Sequence, residues 1–144
     1  MIELRRIEFS ELEPLVELSY SGDKDLFEKY HIQPMCFEDC VVKTVDMIRE
    51  MNGLVKMQYF EVRCKGKAIG YIAQFEHFLY SYAIGMKYRK AKILGEWWNK
   101  VVLLMGPFFK TALYENNHRA IAFLINNGMR VAERKGNVIT FINT

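Results

Sequence analysis

Apolar residues recur along the chain with two different periods, and the change between them outlines the elements. Segments 10–20 and 38–51 repeat apolar residues every three to four positions, which predicts two amphipathic helices. From there the repeat becomes two, which predicts a hairpin over 59–75 and a further strand over 80–86. A short strand over 2–7 precedes the helices. The first half of the chain is thus predicted as a strand, two helices and three strands.

Helices and strands alternate in the second half of the chain. The pattern predicts a helix over 93–105, a strand over 108–114, a helix from Asn117 to Asn127-Gly128, and a closing hairpin over 131–142. The helix over 93–105 carries an unusually wide apolar stripe, so other elements are expected to cover it on more than one side. The stripe consists of Ile93, Leu94, Trp97, Trp98, Val101, Val102 and Met105.

Capping residues locate the ends of the first two helices. Ser10 and Glu13 have the spacing of a capping box, in which the hydroxyl and the carboxylate each satisfy an amide at the helix start. The first helix is expected to stop before Gly22, and residues 21–37 are expected to be irregular. Asn52-Gly53 is the predicted end of the second helix.

Composition restricts the class of protein. The 144 residues are 51% hydrophobic and 26% charged and contain no linker-like segment, which predicts a single soluble globular domain over residues 1–144. No apolar run is long enough to cross a bilayer and charges stand among the first six residues, so no membrane association and a cytoplasmic location are expected. The three cysteines fit no disulfide or zinc framework, and no metal site is predicted.

Charge is distributed unevenly between the two parts of the chain. Residues 1–50 carry a net charge of −6 and residues 51–144 a net charge of +9. A basic second part suits a polyanionic ligand such as a nucleotide cofactor, and an acidic first part suits a cationic partner. The alternative is a pair of ordinary solvated surfaces that happen to differ in charge.

The segment from Asn117 to Met129 reads NHRAIAFLINNGM. It resembles the N-x-x-A-I-x-F-Y-x-x-x-G-F segment of the GNAT superfamily of N-acetyltransferases. In that pattern Asn caps a helix, a small Ala allows close approach to strand and cofactor, and Gly ends the helix. The resemblance implies that Asn117 and Ala120 contribute to binding acetyl-CoA. The alternative is a capped helix with no cofactor role.

A second segment, from Ile84 to Leu94, reads IGMKYRKAKIL. It is similar to the family's strand-to-helix segment V-x-P-x-Y-R-G-x-G-x-G, in which backbone amides at a helix N-terminus hold the cofactor pyrophosphate. The cofactor-binding positions that this similarity implies are Ile84, Met86, Arg89, Lys90, Ala91, Lys92, Ile93 and Leu94. Lys90, Lys92 and Leu94 stand in place of the family's glycines, and the alternative is a solvated basic turn.

The order of elements resembles the GNAT fold over the whole chain. The resemblance implies an α+β domain with a splayed, mixed and mostly antiparallel sheet and helices on both faces. In such a sheet the crossover through residues 93–105 joins two parallel strands. The Lys-rich loop combined with this order further resembles GNAT-like proteins of short-tailed phages, including internal virion proteins.

The same resemblance implies transfer of an acetyl group from acetyl-CoA to an amine. Glu76 is a candidate base, and Glu61 is a less well placed one. Tyr114 and His118 are candidate acids. Each of these groups is also explained as an ordinary surface or strand residue. Leu124 stands where the family commonly places an acidic Tyr, so slow turnover is expected.

Two functions follow from these patterns. The first is an N-acetyltransferase whose acceptor is an amine-bearing protein or small molecule, received by the acidic N-terminal helices. Strand alternation places Tyr80 and Tyr82 on one face, where they line either an acceptor groove or the core. The second is a catalytically degenerate binding or virion-assembly protein, with a phage virion or host protein as partner. A homodimer is a further candidate assembly, and the acidic first third disfavours nucleic acid.

Overall fold

The computed structural model of this chain describes residues 1–21 and 36–143. The strands are β1 (Ile2–Ile7), β2 (Gln58–Cys64), β3 (Lys67–Phe75), β4 (Phe78–Ile84), β5 (Lys110–Tyr114), β6 (Met129–Lys135) and β7 (Val138–Asn143). The helices are α1 (Leu12–Tyr20), α2 (Phe37–Asn52), α3 (Ala91–Met105) and α4 (His118–Asn126). In the described residues this is the predicted order of elements.

The seven strands of the described residues form one sheet. Their order across the sheet is β1-β2-β3-β4-β5-β7-β6. Neighbouring strands are antiparallel except β4 and β5, which are parallel and are joined by a crossover through α3. The predicted mixed, mostly antiparallel sheet is confirmed.

The parallel pair of β4 and β5 is held together only at the beginning of each strand. Phe78 lies opposite Lys110 and Leu79 lies opposite Thr111, and the pairing stops there. The hydroxyl of Thr111 reinforces this short contact by donating to the Leu79 carbonyl oxygen at 2.9 Å. The predicted splay between the two strands is therefore confirmed, with its closed end at Phe78.

A β-bulge in β4 stands where this pairing stops. Leu79 pairs with Gln74 of β3, but the next pair joins Ser81 to Ala73, so Tyr80 is an extra residue without a partner in β3. A bulge bends its strand and increases the local twist. Consequently, β4 leaves the direction of β5 immediately after the two paired residues.

Helices cover both faces of the sheet, as predicted. α1 and α2 pack on one face in a core that includes Leu12, Leu15, Val16, Val41, Val45, Ile48, Tyr71 and Ala83. α3 and α4 pack on the other face in a core that includes Ile72, Leu79, Trp97, Trp98, Val101, Phe109, Leu124 and Phe141. The Trp98 ring contacts Phe109 before β5 and Phe123 of α4, so the wide stripe of α3 is covered from two sides as expected.

The capping box at the first helix lies earlier than predicted. The backbone N–H of Glu8 donates to the Glu11 carboxylate at 2.9 Å, across the short 3-10 turn Phe9–Glu11. β1 ends at Ile7, so the first amides in need of a partner are those directly after the strand. The prediction of Ser10 and Glu13 as the box is wrong.

The end of β4 also differs from the prediction. The Gly85 N–H donates to the Ile69 carbonyl at 2.7 Å, and the Tyr88 N–H then donates to the Gly85 carbonyl at 2.9 Å. The chain therefore leaves the sheet after Ile84, and Met86 lies in a short 3-10 turn rather than on the strand. Most of the segment predicted to be irregular, 21–37, lies outside the described residues, and so does Gly22. The first helix, α1, ends at Tyr20, and α2 ends at Asn52, directly before Gly53, as expected.

We expect Gly70→Ala to destabilise the fold. A Cβ atom at this position of β3 would lie 2.1 Å from the Ala83 carbonyl oxygen and 2.8 Å from the Ile84 Cα atom, so β4 would have to move. Overpacking of this kind costs about 1–3 kcal/mol. The free energy of unfolding, measured by urea denaturation, reports the loss.

Gly95→Ala is the matched control for this substitution. A Cβ atom on Gly95 in α3 meets nothing within 4 Å, so the change is expected to be neutral or to stabilise the helix by roughly 0.5–1 kcal/mol. Equal effects of the two substitutions would contradict the close approach of β3 and β4 at Gly70.

Candidate active site

A cavity of about 580 Å³ occupies the opening between β4 and β5. It is lined by α2 on one face of the sheet, by α3 and α4 on the other, and by the diverging strands between them. Beyond Leu79, no described strand pairs with β4 on the β5 side. Backbone amides and carbonyls along this edge are therefore directed at the cavity, where an extended ligand can pair with them.

The predicted phosphate-binding segment forms the start of α3. The first helical hydrogen bond runs from the Leu94 N–H to the Lys90 carbonyl at 2.8 Å, so the amides before Leu94 have no partner within the helix. The partial positive charge of a helix N-terminus adds to the two exposed ammonium groups of Lys90 and Lys92. Leu94 lines the cavity. The segment therefore offers a cationic site for an anionic group directly beside the cavity.

Arg89 has a role that the sequence did not predict. Its Nε group donates to the Ile84 carbonyl at 2.8 Å, and its Nη2 group donates to the Ser19 carbonyl at 3.3 Å. The side chain is half-buried and lines the cavity. Arg89 thus joins the end of β4 to the end of α1 at the open side of the splay, which limits its capacity to serve as an exposed phosphate ligand. Its predicted cofactor contact stays a prediction.

The start of α4 forms the opposite wall. The Asn117 side chain accepts a hydrogen bond from the Ala120 N–H at 3.4 Å, which confirms Asn117 as the cap. Asn117, Ala120 and Leu124 all line the cavity, and the Leu124 side chain is only 1% exposed. The helix ends before Gly128, whose φ of +90° suits glycine.

The structure gathers only part of the predicted cofactor positions around the cavity. Those that line it are Ile84, Arg89, Leu94, Asn117 and Ala120. Those that lie beside them in the chain without lining it are Met86, Lys90, Ala91, Lys92 and Ile93. Their binding roles stay predictions.

The predicted catalytic groups are dispersed. Tyr114, at the end of β5, is half-buried and lines the cavity. His118 is exposed at the first position of α4 and does not line the cavity. Glu76 is exposed in the turn between β3 and β4, with a φ of +48°, and lies at the closed end of the splay outside the cavity. Of the three, Tyr114 alone is placed to meet a ligand between the strands.

Glu61 is part of a structural ion-pair network on β2. Its carboxylate accepts hydrogen bonds from Arg5 Nε and Nη2, each at 3.2 Å, and from Arg63. These guanidinium groups, Arg5 first, lower the pKa of Glu61. A carboxylate that is buried, paired and made less basic is a poor general base, so the structure does not support Glu61 in that role.

A chain of three hydroxyl groups was missed by the sequence interpretation. The Tyr71 hydroxyl lies 2.8 Å from the Tyr20 hydroxyl and 2.8 Å from the Ser81 hydroxyl. Burial raises the pKa of Tyr71 well above its ordinary value, so it stays a neutral phenol. Tyr20 and Ser81 line the cavity. The three residues come from α1, β3 and β4, and only the tertiary fold brings them together.

The bulge overturns the expectation that Tyr80 and Tyr82 share one face. Tyr80 packs with the core of α1 and α2, whereas Tyr82 packs with the core of α3. The extra residue interrupts the alternation of side chains along β4. As a result, Tyr80 and Ser81 both lie on the side of α1 and α2, and Tyr82 is the next residue to lie on the opposite face. Both tyrosines still line the cavity, from opposite faces of the sheet, and burial raises the pKa of Tyr82 to about 12.

Solved structures with this arrangement are known. A PaiA N-acetyltransferase from Thermoplasma acidophilum in complex with coenzyme A matches with a TM-score of 0.74 and 16% identity, over 100% of this chain and 99% of that one. An acetyltransferase from Thermus thermophilus matches with a TM-score of 0.75 and 14% identity, over 99% and 96%. A GNAT-family acetyltransferase from Staphylococcus aureus matches with a TM-score of 0.68 and 17% identity, over 99% and 98%.

This chain has the GNAT fold. Identities of this size carry the fold and not the activity. No protein-family model matches the sequence, and no curated protein matches it at a significant level. Among the described residues no helix is long and apolar enough to span a membrane. The same residues contain no group of three or more His, Cys, Asp or Glu side chains that could hold a metal ion.

The Glu61 network predicts a specific dependence of stability on pH. The folded state lowers the pKa of Glu61, so its stabilising contribution is complete well above the ordinary Glu value of about 4.3 and is lost as the pH falls through the lower, folded value. We expect Glu61→Gln to be less stable than the wild type at pH 7, and the difference to shrink steadily below roughly pH 4. Urea denaturation of both proteins across this range measures it; a difference independent of pH would contradict the ion pairing.

Proposed function

We propose that this chain is an acetyl-CoA-dependent N-acetyltransferase that acts on a primary amine. The observation that carries the proposal is the cavity between the diverging parallel strands β4 and β5, with the N-terminus of α3 beside it. The coenzyme A complex of a protein with the same fold supports this interpretation. The proposed acceptor is either a small molecule or a protein. We also propose a phage origin, which rests on the sequence resemblance alone.

The residues present fit a CoA thioester. An unpaired strand edge on β4 offers backbone hydrogen bonds to a pantetheine arm, as an added strand would use them. Lys90, Lys92 and the first amides of α3 offer a cationic site to its phosphates. Both lysine side chains are exposed, so they can turn outward where the family has glycine. When bound, acetyl-CoA supplies an activated acetyl group.

The reaction requires two proton transfers: the acceptor amine loses a proton and the leaving thiolate gains one. No described carboxylate lines the cavity, so loss of the acceptor's proton falls to solvent or to the hydroxyls of Tyr20 and Ser81, which Tyr71 holds in place. Protonation of the leaving thiolate falls to Tyr114, because Leu124 has no proton to give. A neutral hydroxyl group is a weak base, which favours slow turnover.

A second candidate function is a GNAT-fold binding or virion-assembly protein that has lost its chemistry. Leu124 and the lysines in place of glycines favour it. The two candidates differ in whether a bound thioester is consumed. Binding and turnover must therefore be measured separately.

Lys90→Glu combined with Lys92→Glu tests the cofactor site. Reversing two exposed charges at the start of α3 is expected to weaken coenzyme A binding about tenfold or more and to reduce its salt dependence. Calorimetric titration with coenzyme A and with acetyl-CoA measures both. The control is Lys100→Glu combined with Lys110→Glu, which changes net charge equally at exposed positions outside the cavity. Equal weakening in both double variants would remove the α3 site from the proposal.

Tyr114→Phe tests the chemistry. Removing the hydroxyl is expected to lower kcat by about 10²-fold, the lower range for general acid assistance, with coenzyme A affinity unchanged. His118→Ala is the control, since His118 is exposed away from the cavity, and should leave kcat unchanged. Thioester consumption in single-turnover experiments provides the rate. If coenzyme A binds and the wild type consumes no thioester with any amine, the binding-protein alternative is the right one.

A further inference from the structure

The cavity has an aromatic wall on the side of α1 and α2. The bulge places Tyr80 on this side of β4, where its ring centre lies 6.3 Å from that of Phe78 and 6.2 Å from that of Phe75. Phe75 and Phe78 are stacked, with centres 5.5 Å apart and planes 12° from parallel. Tyr114 of β5 lines the same cavity; burial, followed by the influence of Tyr114, raises the pKa of Tyr80. Phe78, Tyr80 and Tyr114 are each half-buried and line the cavity.

The charged residues that line the cavity are all positive. The charged residues that line the cavity are Lys43, Arg89 and Arg119, and no Asp or Glu of the described residues lines it. Of the α2 carboxylates nearby, Asp46 pairs with Arg49. Glu50, which after burial and Tyr114 is the third influence that raises the pKa of Tyr80, does not line the cavity. This differs from the expectation that acidic N-terminal helices receive a cationic acceptor.

An acceptor must therefore gain its affinity from apolar contact. Burying an aromatic ring against apolar surface is favourable, and aromatic neighbours add to this affinity. One ammonium group can lie over a tyrosine face as a cation–π contact. Further positive charges on the same ligand meet Lys43 and Arg119, and no carboxylate among the described lining residues offsets the repulsion between like charges.

We infer that the acceptor is a monoamine carried on an aromatic or similarly bulky apolar body, and that polyamines are rejected. The inference rests on the proposed function for the reaction itself, but the ligand preference stands on the lining alone. Phenethylamine and spermidine are suitable probes, because both present a primary amine and only one has a ring.

The wild type is titrated with each amine by calorimetry, with and without coenzyme A. Phenethylamine is expected to bind at least about tenfold more tightly than spermidine. Met47→Glu places a carboxylate on the cavity wall at a residue that is already 38% exposed. It is expected to shift the ratio of the two dissociation constants toward spermidine by about tenfold or more.

Val42→Glu is the matched control. It adds the same charge to the same helix at a residue that is 54% exposed and does not line the cavity, so the ratio should stay at the wild-type value. Equal or tighter binding of spermidine by the wild type, or the same ratio shift in both variants, overturns the inference.

Failure of the two proposals can be told apart. If coenzyme A binds and neither amine does, the acceptor class is wrong and the cofactor site stands. If phenethylamine binds preferentially and coenzyme A does not bind, the acceptor class stands and the acetyltransferase proposal falls. Binding of neither amine, in any condition, overturns the inference.

Discussion

The extra residue in β4 decides where the cavity between β4 and β5 lies. Up to Leu79 the strand pairs with both neighbours, and from Tyr80 onward it follows only β3. Because a bulge bends and twists its strand, the parallel partner β5 cannot follow, and the opened sheet becomes a cavity with walls on both faces. The same extra residue turns Tyr80 and Ser81 toward α1 and α2. Shape and lining thus come from one local irregularity.

An opened sheet needs support at its wide end, because unpaired strand edges lose hydrogen bonds. Arg89 supplies part of it by joining the carbonyls of Ile84 and Ser19, which end β4 and α1. On the other face the Trp97 ring contacts Tyr82 and Phe123. The closed end is held by the two strand pairs and by Thr111. These contacts therefore support the described walls of the cavity at both ends.

Much of the fold could be predicted because its signals are local. Asn117 as a cap, Gly128 as a helix stop and the periodicity of α2 and α3 depend on residues a few positions apart. The bulge in β4 could not be predicted, since an extra residue is recognised only when the pairing register with β3 is known. The pairing of Glu61 with Arg5, 56 positions away, and the bonds of Arg89 to Ser19 were hidden for the same reason. The sequence of the predicted phosphate-binding segment likewise did not indicate that the Arg89 side chain bonds to backbone carbonyls within the fold.

Net charge by segment and the charge that lines the cavity differ for a physical reason. Segment totals count the carboxylates of α1 and α2 wherever they lie, whereas a ligand responds most to the charges nearest its site, because salt screens charges that are further away. A cationic lining also bears on the chemistry of the proposed reaction. A nearby positive charge lowers the pKa of an ammonium group, so an amine held beside Lys43 and Arg119 loses its proton more easily than it does in water. If the proposed reaction takes place in this cavity, which no described carboxylate lines, the cationic lining supplies part of what a general base would otherwise provide.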